Sequence, residues 1–65
     1  SPEDLIVAKL VYGSSQDLED GLAIMIRQGS NLRGKYLRQQ AAKNKVSSKL
    51  KKLIESTEEA HLKEE

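Results

Sequence analysis

Lys9, Asp17 and Asp20 are the residues of this chain whose types and spacing suit chemistry. Lys9 interrupts the apolar run Leu5 to Tyr12, and the two acids stand three residues apart just past a Gly13-Ser14-Ser15 break. Helical residues at that spacing are neighbours on one side, so both carboxylates can reach one cation. Lys9 follows Leu5 by four residues and precedes Tyr12 by three, which keeps it close to the apolar side of a helix through the run. A lysine withdrawn from water needs an acid partner. The spacing suits a Lys9–Asp20 ion pair, with Asp17 divided between that pair and the cap of the helix it opens; it suits equally a Lys9 that snorkels to water while the two acids stay solvated charges at the helix start. Mg²⁺ between Asp17 and Asp20 is the weaker reading, because two ligands at a helix start normally form only a capping arrangement. Seven serines and one remote histidine, His61, make no catalytic triad.

The elements that position these residues are helical. Ser1-Pro2-Glu3-Asp4 is a helix start: a capping serine, a proline whose missing N–H costs nothing there, and two acids at the positive end of the dipole. The first helix is expected over Pro2 to Tyr12, ending at Gly13 and largely buried, since its apolar residues cover more than one face. Ser14 and Asp17 have capping-box spacing. The second helix then runs from about Ser15 to Gln28, with Leu18, Leu22, Met25 and Ile26 as its face, Ile24 widening it and Gly21 in its middle. Ser30 or Asn31 is expected to cap a third helix from about Asn31 to Lys43, with Leu32, Tyr36, Leu37 and Ala41 as its apolar side. Val46, Leu50, Leu53 and Ile54 form the stripe of a fourth. The fold class is therefore all-α, a small bundle of three to four helices with short turns. The bundle domain is expected over residues 1–54, followed by an acidic, helical, exposed tail over 55–65 that frays toward Glu65.

Sixty-five residues without cysteine leave no disulfide or thiolate metal site to support so small a core. The apolar run is far shorter than the roughly 20 residues a membrane span requires, and nothing resembles a signal peptide, so the expected setting is cytoplasmic, with no membrane partner. The net charge of +1 conceals three blocks. Residues 1–28 carry a net −3, residues 29–54 carry +8 with no acid at all, and residues 55–65 carry −4. Such segregation points to partners better than the total does.

Glu3-Asp4-Leu5-Ile6, then Lys9-Leu10, a glycine-containing turn and Asp17-Leu18-Glu19-Asp20 resemble the helical segment that follows the catalytic sheet in polymerase-beta-type nucleotidyltransferases, especially the small proteins and abortive-infection toxins of that superfamily. The likeness covers about Glu3 to Ala41, with Leu32 to Leu37 similar to the family's third helix. Gln16 stands where the family usually has Arg or Lys, and the turn carries no base. The family's Gly-Ser turn and Asp-x-Asp metal pair, borne on an N-terminal sheet, have no counterpart here. The resemblance implies a C-terminal accessory piece, or a helical relative without the sheet, that is not catalytic alone. It implies that Lys9, Asp17 and Asp20 line or brace a nucleotide site. Mg²⁺ and a nucleoside triphosphate are implied only if the chain is joined to an N-terminal catalytic domain.

The basic block suggests a second class of function. Arg33, Lys35, Arg38, Lys43, Lys45, Lys49 and Lys52 are candidates to track the phosphates of RNA or DNA. Solvated helix surfaces are the bland alternative. A third class, a protein-interaction module, would use the small core and the tail.

Overall fold

A computed structural model describes the backbone of residues 1–63 and the side-chain surroundings of residues 1–57. It is an all-α bundle of α1 (Pro2–Tyr12), α2 (Ser15–Gln28), α3 (Gly34–Lys43) and α4 (Ser47–Lys63), with a 3-10 turn at Gly29–Asn31. The exposure and fraying expected of the tail, and the side chain of His61, lie outside the described residues.

Local chemistry sets the first two helices. The Ser1 hydroxyl accepts the Asp4 amide, and Pro2 opens α1. Gly13 closes α1 with φ at 70°, a left-handed conformation that glycine adopts without a Cβ penalty, and its amide reaches the Lys9 carbonyl at 2.9 Å. The Ser14–Asp17 capping box is complete in both directions. Immediate reversal of the chain there lays α2 back along α1, the most extensive helix pairing in the fold.

The core is built from Ile6, Val7 and Leu10 of α1, Met25 of α2, Leu37 and Ala41 of α3, Leu50 and Leu53 of α4, and Val46 just before α4. Two faces differ from expectation. Only one side of α1 is buried, and Leu5, Val11 and Tyr12 are exposed. On α2 the contact is centred on Gly21 and Met25, which rolls Leu18 and Ile26 outward. A Cβ at Gly21 would stand 3.6 Å from both the Leu53 Cδ2 and the Lys9 Cβ, ordinary van der Waals distances, so α1 and α4 both pack directly over this position.

The third helix starts later than its sequence suggests. Ser30 and Asn31 fall in the 3-10 turn, Leu32 and Arg33 are extended, and α3 begins at Gly34 with Arg33 as a cap residue that makes no side-chain cap bond. Its far end closes through Lys45, held at φ 59°. The Lys45 amide reaches the Ala42 carbonyl at 3.1 Å and the Val46 amide reaches the Ala41 carbonyl at 2.8 Å, the paired bonds of a Schellman ending.

Candidate functional site

The antiparallel start of α1 and α2 brings Lys9, Asp17 and Asp20 together. The Lys9 stem crosses Gly21, and its Nζ donates to Asp20 Oδ2 at 3.0 Å and lies 3.7 Å from Asp17 Oδ1. Asp17 divides its oxygens: Oδ2 accepts from the Ser14 amide at 3.3 Å and from the Ser14 hydroxyl at 2.7 Å, leaving Oδ1 toward the lysine. Gln16 fixes the other oxygen of Asp20 at 2.9 Å. The hydrogen bond that Lys9 donates to Asp20, with the two carboxylate charges, outweighs desolvation and raises the Lys9 pKa, while the amide of Gln16 and then Lys9 lower that of Asp20. The three side chains remain 26%, 22% and 38% exposed, so the cluster is a brace at the surface and not an interior ion pair. The ammonium group occupies the place between the carboxylates that a metal ion would need. Among the described residues no three His, Cys, Asp or Glu converge on one point.

A second polar cluster ties the start of α1 to the start of α3. Glu3 is 2% exposed and accepts the Arg33 amide at 2.8 Å and its guanidinium at 3.4 Å. In a local capping box the third helical residue would accept the cap amide. That residue is Tyr36, which instead donates its hydroxyl to Asp4 at 2.7 Å, and Glu3 supplies the acceptor from another helix. The Arg33 guanidinium lies 4.4 Å from the centre of the Tyr36 ring. The Arg33 amide, chiefly, lowers the Glu3 pKa to about 2, and the Tyr36 hydroxyl holds Asp4 below its ordinary value.

The candidate phosphate-binding residues are divided among several surfaces. Arg33 is engaged by Glu3 and Tyr36. Arg38 lies with Lys51 along a groove of about 490 Å³ between α3 and α4, and its guanidinium folds back over Gly34. Lys35, one turn before Arg38, shares the outer side of α3. Lys49 and Lys52 border a different groove of about 420 Å³, floored by Leu18, Leu22 and Leu53, and Lys49 Nζ reaches the Leu10 carbonyl at 3.4 Å. Lys43 and Lys45 are exposed at the α3–α4 connection. Lys51, absent from the sequence-derived set, belongs beside Arg38; its position next to Leu50 and three before Ile54 on the α4 stripe is the signal that points to it. Compared with family models, curated proteins and solved structures, the chain matches none.

Proposed function

We propose that this chain is the helical accessory domain of a nucleotidyltransferase-like protein, seated against a separate catalytic sheet domain and not catalytic alone. The observation that carries the proposal is the outer side of α1. Leu5, Ala8, Val11 and Tyr12 follow one another at helical spacing, and Leu5 and Val11 are 48% exposed and Tyr12 77%. A helix apolar on both sides suits burial between two bodies, yet the bundle covers only one of them. Lys9, set between Leu5 and Tyr12 in register, places the Lys9–Asp17–Asp20 brace at the border of that strip. In this reading the brace fixes the α1–α2 corner that the catalytic domain meets, and thereby supports the nucleotide or substrate site. Mg²⁺ and the nucleoside triphosphate would be held by the catalytic domain, and the setting would be the cytoplasm.

The test is the reading frame upstream of the Ser1 codon. A sheet-forming segment with a Gly-Ser turn followed by Asp-x-Asp supports the proposal. An initiation codon directly before Ser1 removes it.

A further inference from the structure

We infer that α3 and α4 form a sequence-indifferent binding face for double-stranded nucleic acid, centred on Arg38 and Lys51. The inference stands on observations separate from the outer side of α1. Residues 29–54 hold eight cations and no acid, and among the described residues only Arg33 of these forms an ion pair. Arg38 and Lys51 come from different helices yet line one groove, and Lys35 extends the same side along α3. Among the described residues Glu55 is the one acid lining that groove, and neither cation lies within ion-pair distance of it. Charges left unpaired across two packed helices are placed to meet a row of phosphates.

The kind of polyanion follows from what the face lacks. Proteins that hold single strands stack bases on aromatic rings. Of the two tyrosines, Tyr12 is on α1, and Tyr36 is engaged by Arg33 and Asp4. With no free ring beside Arg38 and Lys51 among the described residues, the face is suited to contact backbone phosphates and not to grip unstacked bases. That favours a duplex bound through its phosphates and independent of base sequence.

The test uses the whole chain and fluorescence anisotropy of a labelled 20-base-pair duplex across a salt series, a length of about two helical turns. Engagement of Lys35, Arg38 and Lys51 predicts a micromolar Kd at low salt and a slope of log K against log salt of about −3. The double variant Arg38→Gln/Lys51→Gln should weaken binding at least about tenfold and reduce the slope by about 2, while Lys49→Gln/Lys52→Gln changes Kd by less than about twofold. A single strand of the same length should bind more weakly, and a second duplex sequence equally well. Binding that is absent at low salt, stronger for the single strand, or equally sensitive to both double variants overturns the inference. So does poly-glutamate bound as tightly as the duplex, which would identify an acidic protein as the partner. A positive result with an initiation codon directly before Ser1 leaves this face standing and removes only the accessory-domain reading.

Discussion

Replacing Gly21 with alanine should stabilise the protein. Gly21 is buried at the crossing of three helices, a setting in which any side chain is readily taken to clash. The distances indicate otherwise: a Cβ would meet Leu53 Cδ2 and Lys9 Cβ at 3.6 Å each, ordinary van der Waals contact. Alanine is favoured over glycine inside a helix by about 1 kcal/mol. A 65-residue domain has a total stability of roughly 3–10 kcal/mol and shifts its Tm by about 4–8 °C per kcal/mol. Gly21→Ala should therefore raise Tm by about 4–8 °C, measured by far-UV circular dichroism with urea unfolding as an independent check. Gly21→Leu should lower stability by about 1–3 kcal/mol, because its further carbons extend beyond the Cβ into Leu53 and the Lys9 stem. A Gly21→Ala protein melting at or below the parent temperature would refute the helix spacing and, with it, the path of Lys9 over Gly21.

The other predictions concern the core, a helix ending and the two polar clusters. Leu10→Ala, at a fully buried position, should cost about 2–5 kcal/mol, a large share of the domain's stability, and lower its Tm accordingly, as circular dichroism would show. Lys45→Gly should stabilise by about 1 kcal/mol in urea unfolding, since glycine accepts the left-handed conformation that lysine occupies at a cost. The Glu3 pKa is depressed from 4.5 to about 2 in the folded chain, so its contribution to stability is present above pH 4.5 and is lost as pH falls from there toward 2. Glu3→Gln should lower stability at neutral pH and flatten that acid limb, which urea unfolding at a series of pH values measures. Lys9→Met should lower Tm by leaving Asp17 and Asp20 without their cation; an unchanged or higher Tm would show that the brace does not hold the α1–α2 corner.

What was legible in the sequence was what neighbouring residues decide among themselves. The bounds of α1 and α2, the capping box and the meeting of Lys9 with two acids follow from Ser1-Pro2, Gly13, Ser14 and helical spacing. Glu3 was illegible as a buried residue, because a first-turn acid looks like a solvated dipole partner and its true partner, Arg33, lies 30 residues away. The same long-range bond explains the misplaced start of α3. Ser30 and Asn31 are good local caps, yet Glu3 accepts the Arg33 amide from outside the helix and lets the chain enter helix at Gly34. The orientation of α2 was hidden for a related reason: its apolar residues mark one side, but which of them face the core depends on how α1 and α4 pack over Gly21 and Met25. The basic block was legible as charge, while the pairing of Arg38 with Lys51 depends on how α3 and α4 pack.

The central claim is that the outer side of α1 is covered by a catalytic domain. The chain has no cysteine, so Tyr12→Cys and, as an exposed control on α4, Ser48→Cys each place a single thiol in it. Maleimide labelling rates are then compared between the isolated domain and the product of the complete reading frame, which is first given any other cysteine as serine. In the isolated domain the Tyr12→Cys thiol should label as fast as the Ser48→Cys thiol. In the complete product the Tyr12→Cys thiol should label at least about tenfold more slowly, with the Ser48→Cys rate unchanged, as burial at an interface requires. Equal labelling of the two thiols in the complete product would contradict it.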